Sequence, residues 1–170
     1  MTFRAYIIIA SDSSYQGTRA DGSGPEAERL LTEAGYEVTG RIVLPDDRRM
    51  LADKMKQVAD EGLADLIVTS GGTGFSPRDV TPEATEDVME RAVPGIPEAI
   101  RADSMRYTPR AMLSRGTAGI RKRTLIVNLP GSPKAVRETL TFLLEPLGHG
   151  LAILTGLTSD CARKENSDGT

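Results

Sequence analysis

The 170-residue sequence predicts one three-layer α/β/α domain, a mostly parallel sheet with helices on both faces. Three observations predict it. Short, continuous apolar runs recur at Tyr6–Ala10, Leu66–Val68 and Leu125–Val127, the pattern of strands buried on both faces. Stretches with apolar residues at helical spacing alternate with those runs. Size and composition agree, because 39 % of the chain is in the apolar set and 17 residues are glycine, enough for a core without disulfide or metal staples.

Taken in order, Tyr6–Ala10 is the first strand and Asp12–Ser23, polar and glycine-bearing, a long loop. A helix follows, with Ser23 or Gly24 as cap, Pro25 in its first turn, Ala27, Leu30, Leu31 and Ala34 as its apolar stripe and Gly35 as its stop. Tyr36–Leu44 alternates as a second strand. Asp46 or Asp47 caps the next helix, which buries Leu51, Met55 and Val58 and ends at Gly62. Asp65–Thr69 is a third strand, leading into Ser70-Gly71-Gly72-Thr73-Gly74 and then a helix with Thr81 as cap and Pro82 at its first position. Between Val93 and Gly119, punctuated by prolines, the pattern gives a helix around Pro97–Arg106 and a short one at Pro109–Leu113. The Leu125–Val127 strand runs into Asn128-Leu129-Pro130-Gly131-Ser132-Pro133 and a last helix with Val136, Leu140, Leu143 and Leu147 on one side. The domain is thus expected over 1–156, with a polar tail from 157 to 170.

Composition narrows the chemistry. With one Cys and one His, the chain can form neither an internal disulfide, a Cys-rich zinc site nor an HExxH centre. A net charge of −3 argues against non-specific nucleic-acid binding. No apolar run approaches the ~18 residues of a membrane span, and Met1–Ala10 does not read as a signal peptide. With Cys161 a lone thiol, the expected compartment is the cytoplasm. Catalysis would rest on carboxylates, hydroxyls, basic side chains and backbone amides.

In parallel sheets ligands bind beyond the carboxyl ends of strands, and three such ends carry polar or glycine-rich loops. Gly71, Gly72 and Gly74 let amides approach an anion, with the Ser70 and Thr73 hydroxyls as further donors; the alternative is a tight turn leaving a strand. Arg78-Asp79 reads either as a surface ion pair or as a phosphate-binding Arg beside a cation-binding Asp. Asp46, past the second strand, is either a helix cap or the second carboxylate of an Mg²⁺ site. Gly131 and Ser132 offer a close approach and a helix start to an anion, or simply a capped turn. The run Arg121-Lys122-Arg123 is a lure for an anionic substrate or a solvated turn, and His149 is structural.

The string Thr69-Ser70-Gly71-Gly72-Thr73-Gly74-Phe75-Ser76-Pro77-Arg78-Asp79-Val80-Thr81-Pro82-Glu83-Ala84-Thr85 resembles the signature of the molybdenum-cofactor biosynthesis MogA/MoaB family. Ser11-Asp12, Leu44-Pro45-Asp46, Pro94-Gly95 with Glu98, Leu113-Ser114-Arg115, Gly119 to Lys122 and Asn128 to Pro133 match the family pattern in order. The resemblance implies a compact α/β domain that adenylylates molybdopterin with ATP and Mg²⁺, releasing pyrophosphate. It implies Asp46 and Asp79 as catalytic and metal-holding carboxylates. Ser11, Asp12, Ser70, Gly71, Gly72, Thr73, Gly74, Arg78, Glu98, Ser114, Pro130, Gly131 and Ser132 are the implied substrate-binding positions. It further implies a homo-oligomer, a trimer ahead of a hexamer. A separate molybdate-insertion protein is expected to take the product, since 170 residues leave no room for a fused one. Three other readings stay open: a non-catalytic molybdopterin carrier or scaffold of the same family, disfavoured by the paired aspartates, a CinA-type domain acting on another nucleotide or pterin, and a generic sugar- or nucleotide-phosphate binder.

Overall fold

The computed structural model describes residues 2–158. Six strands form one sheet in the order β2-β1-β3-β6-β5-β4. These are β1 (Arg4–Ala10), β2 (Glu37–Leu44), β3 (Leu66–Ser70), β4 (Arg91–Ala92), β5 (Ala118–Arg121) and β6 (Thr124–Leu129). The first four strands in that order run parallel, and β5 and β4 close one edge antiparallel. The helices are α1 (Asp12–Tyr15), α2 (Ser23–Glu33), α3 (Arg48–Asp60), α4 (Thr81–Val88), α5 (Gly95–Ser104) and α6 (Pro133–Leu154), with a 3-10 turn at Pro109–Leu113.

Alternation along β1 builds the two faces. Ile7 and Ile9 enter a core with Ala27 and Leu31 of α2, Ile100 of α5, and Val136, Leu140, Leu143, Leu147 and Leu151 of α6. Ile8 and Ala10 enter the opposite core with Leu51, Met55 and Val58 of α3 and Ala84 and Val88 of α4. Every residue of β3 and β6 is buried, as expected for strands covered on both sides. The expected three-layer domain is therefore present.

Several local expectations are corrected. The predicted loop contains the one-turn helix α1, started by Ser11, whose Oγ accepts from the Ser14 amide. The cap of α3 is Asp47, accepting from Met50 at 2.8 Å, which leaves Asp46 outside the capping role. Thr81 lies inside the first turn of α4, whose cap is Val80. Arg121-Lys122-Arg123 forms the β5–β6 hairpin turn, with Lys122 at φ +50°. That turn sits at the amino end of β6, across the sheet from the glycine loop, and Arg121 is paired with Asp60. It is not positioned as a lure for the site. Residues 159–170, with Cys161 and most of the expected tail, lie outside the described residues.

The strand order places a topological switch at β1, where the chain leaves by α2 to β2 on one side and later arrives at β3 on the other. Strand register then levels the site. Ile9 pairs with Ser70, Ser70 with Leu129, and Ala10 with Leu44. The segments beginning at Ser11, Pro45, Gly71 and Pro130 consequently emerge along one edge.

Candidate active site

Asp12 and Asp46 each stand two residues beyond the Ala10–Leu44 rung, and that equal offset lets them bond reciprocally. The Asp12 amide donates to Asp46 Oδ2 at 2.9 Å, and the Asp46 amide donates to Asp12 Oδ1 at 3.0 Å. Arg78, arriving from the loop after β3, forks onto Asp12, with Nε to Oδ2 at 2.9 Å and Nη2 to Oδ1 at 3.0 Å. Arg78 is thus paired with Asp12 and not with its neighbour Asp79. The Arg78 hydrogen bonds hold the Asp12 carboxyl below the usual carboxylate range. Asp46 moves the other way: burial pushes its carboxyl up, and the charges of Asp12 and Asp79 add to the shift.

Asp79 closes the group from the third side. Its Oδ2 accepts from the Ser76 amide at 3.0 Å, while its own amide donates to the Ser76 carbonyl at 2.9 Å, a tight turn that fixes the carboxylate against its own loop. The glycine loop passes directly over these acids. A Cβ on Gly74 would stand 2.8 Å from Asp79 Oδ2, and one on Gly72 would stand 3.1 Å from Asp46 Oδ1 and 2.3 Å from Thr81 Oγ1. The Thr81 hydroxyl is buried with no hydrogen-bond partner among the described residues. Gly71 and Gly72 have φ of +95° and +66°. The amides of Gly72, Thr73 and Gly74 enter no hydrogen bond among the described residues and stay available to a ligand.

Two cavities flank the loop. One, of about 430 Å³, is lined by Ser11, Arg19, Ser23, Ser70, Gly71 and Ser132, among others. The second, of about 280 Å³, is walled by Thr73, Gly74, Arg101, Ser114, Pro130 and Glu138. Gly131 borders both, and a Cβ there would lie 3.3 Å from the Gly71 Cα, so the main chains of the two turns approach closely at the ridge between the cavities. The Ser70 hydroxyl donates to the Pro130 carbonyl at 2.8 Å and ties the β3 and β6 ends together. Ser132 caps α6 through the Ala135 amide at 3.1 Å. The three aspartates belong to the walls of neither cavity and stand beside them under the loop.

Of the expected positions, all but Glu98 gather at this edge; Glu98 is exposed in the first turn of α5 and borders neither cavity. Sequence reasoning missed Arg115, which binds the loop at several points, and Asn128. The Asn128 amide bridges Thr69 and Thr85 at 2.9 Å each while its oxygen accepts from the Thr117 amide. Both residues lie inside the family-like motifs, but their partners are distant in sequence.

The donor set suits a hard divalent cation. Asp46 and Asp79 offer carboxylate oxygens beside an unpartnered hydroxyl, under a loop that any Cβ would crowd. Among the described residues no three His, Cys, Asp or Glu side chains cluster as a self-sufficient metal cage. Mg²⁺ is bound in this sparser way, by one or two carboxylates completed by phosphate oxygens and water.

Residues 6–149 match the family described as the probable molybdopterin binding domain. A molybdopterin adenylyltransferase of Helicobacter pylori is 39 % identical over 158 residues, covering 91 % of this chain and 89 % of that protein. That of Escherichia coli K12 is 39 % identical over 151 residues, 87 % of this chain and 77 % of the relative. The molybdopterin biosynthesis enzyme MoaB of Thermus thermophilus shares the fold with a TM-score of 0.86 at 44 % identity, covering 91 % of this chain and 98 % of that one. The tungsten cofactor synthesizing protein MoaB of Pyrococcus furiosus does so with a TM-score of 0.82 at 31 % identity, covering 90 % and 97 %. Fold, glycine loop and sequence agree, and the chain belongs to the MogA/MoaB family of molybdopterin-binding proteins.

Proposed function

We propose that this protein is a molybdopterin adenylyltransferase, joining AMP from ATP to the terminal phosphate of molybdopterin and releasing pyrophosphate. The observation that carries the reading is the pair of cavities separated by the Gly71–Gly131 ridge, with Asp12, Asp46 and Asp79 beside it. Two anionic substrates need separate seats, an edge where they meet and a means of offsetting their charge. An oxygen of the molybdopterin phosphate attacks the α-phosphorus of ATP, the bond from that phosphorus to the bridging oxygen breaks, and pyrophosphate leaves. Such a transfer depends on positioning and electrostatic stabilisation, and no protein nucleophile is required.

In this reading Asp46 and Asp79 hold Mg²⁺, which when bound supplies charge neutralisation at the nucleotide phosphates. The open amides of Gly72 to Gly74 bind phosphate oxygens, and Arg78 exchanges Asp12 for a phosphate when substrate enters. Ser11, Ser70, Ser114, Pro130 and Ser132 shape the two seats. The protein is a homo-oligomer, as the family resemblance implies. An apolar groove of about 410 Å³ between α5 and α6 supports this by offering a surface for another copy.

The test is pyrophosphate release from ATP, Mg²⁺ and molybdopterin. Asp79→Asn and Asp46→Asn are each expected to lower kcat by about 100-fold or more while KM for molybdopterin stays within a few-fold. Near wild-type turnover of Asp79→Asn at saturating Mg²⁺ would overturn the assignment.

A further inference from the structure

Arg115 follows the 3-10 turn and reaches back across the glycine loop. Its amide donates to the Thr73 carbonyl at 2.8 Å. Its guanidinium donates from Nε to the Gly74 carbonyl at 2.8 Å, from Nη2 to the Asp79 carbonyl at 2.8 Å, and from Nη1 to Glu83 Oε1. One residue therefore grips the loop at its start and at Asp79, and anchors it to the first turn of α4.

The geometry of the Glu83 contact shows what the guanidinium is arranged to hold. An Arg free to orient itself against a carboxylate forks onto both oxygens. Here only one arm meets Glu83, and Glu83 Oε2 is buried with no hydrogen-bond partner among the described residues. The other two donor edges are committed to main-chain carbonyls of the loop. Two of the guanidinium's three contacts go to main chain, so the orientation follows the loop carbonyls as well as the carboxylate. The segment bearing Arg115 is itself fixed: Arg101 Nη1 donates to the Ser114 and Gly116 carbonyls at 3.3 and 3.0 Å, and Asn128 accepts from Thr117. Ser114 and Arg101 wall the smaller cavity.

We infer that Arg115 is a positioning residue for Asp79. It sets where the Asp79 main chain, and hence its carboxylate, stands relative to Asp46, and it links that placement to the wall of the smaller cavity. The inference rests on the reading of Asp79 as the carboxylate that serves the nucleotide phosphates. Lysine would keep the charge but carries all its donors on one nitrogen, which cannot reproduce contacts made from Nε, Nη1 and Nη2, so Arg115→Lys separates geometry from charge.

The experiment compares wild type, Arg115→Lys, Arg115→Ala and Asp79→Asn. Amide hydrogen exchange is followed by mass spectrometry, and kcat, KM and the Mg²⁺ requirement by pyrophosphate release. In Arg115→Lys, peptides covering 73–79 are expected to exchange at least tenfold faster, with β1 and β6 unchanged. Its kcat is expected to fall at least tenfold, its half-saturating Mg²⁺ concentration to rise, and KM for molybdopterin to stay within about twofold, because a carboxylate misplaced by a fraction of an ångström loses transition-state contacts first. Arg115→Ala should be worse in each respect; if it does not fold, Arg115→Lys still decides. Unchanged exchange over 73–79 in Arg115→Lys overturns the inference, as does wild-type kcat in Arg115→Lys when Asp79→Asn is inactive. Full activity of Asp79→Asn would instead overturn the underlying reading of Asp79, while the exchange result would still report whether Arg115 holds the loop.

Discussion

Gly71 shows how narrowly single residues are constrained at this edge. Its φ is +95°, and a Cβ would sit 2.3 Å from the Ala10 carbonyl oxygen, which belongs to rigid backbone. Gly71→Ala is expected to destabilise the protein by about 3 kcal/mol, a left-handed penalty of ~1–2 kcal/mol plus the overlap. Gly62→Ala has comparable strain, with φ +64°, but nothing within 4 Å of the new Cβ. It should cost only about 1 kcal/mol. Thermal unfolding checks both, and equal shifts for the two variants would refute the close approach at Gly71. At this scale the placement of Asp46, Gly71 and Gly131 was legible because each follows a strand end within two residues, whereas Asp79 comes to the same edge through the turn at Ser76. Arg115 was not legible, because its partners are carbonyls 36 and 41 positions away, and carbonyls leave no trace in a sequence. Glu98 was expected at the pocket by resemblance alone, and the start of α5 carries it to the surface.

Between elements, two acidic residues act as clamps whose strength depends on pH. Glu26 of α2 accepts from Arg29 on its own helix and from Arg137 of α6, at 2.5 Å for the latter. These two arginines bring its carboxyl from the ordinary 4.5 to about 2. Asp60 of α3 is likewise brought from 3.8 to about 2 by Arg121 and Lys122 of the β5–β6 turn. Because both folded values lie below the unfolded ones, their stabilisation is fully present above about pH 4.5 and fades as pH falls toward 2. Urea unfolding of wild type and Glu26→Gln should therefore differ at pH 6 and converge between pH 4.5 and 2. A difference that stays constant down to pH 2 would show that Glu26 is not clamped by charge. Strands buried on both faces and helices with a clear stripe were legible as elements. The short strands β4 and β5 were not, because Arg91–Ala92 and Ala118–Arg121 present two and four residues with no apolar run, and only pairing across the edge makes them strands.

The whole molecule is two cores sharing one sheet, and its cooperativity follows from that sharing. Met55 of α3 and Leu140 of α6 are fully buried on opposite faces, yet the same strands feed both cores, through Ile8 to one side and Ile7 and Ile9 to the other. Losing either helical layer would expose a sheet that is apolar throughout β3 and β6, so neither layer has a stable state without the other. Met55→Ala and Leu140→Ala are each expected to cost about 2–5 kcal/mol. In each variant denaturant unfolding should stay a single transition, with a lower midpoint and an unchanged slope. The chain has no Trp, so circular dichroism is the natural probe of helices, with the four Tyr providing an independent absorbance signal. Because the two sites lie in different cores on opposite faces of the sheet, the double variant should lose the sum of the two single effects to within about 0.5 kcal/mol. Two separated transitions, or a slope that falls in one variant only, would show that the layers unfold independently and that the glycine edge between them is carried by one face alone.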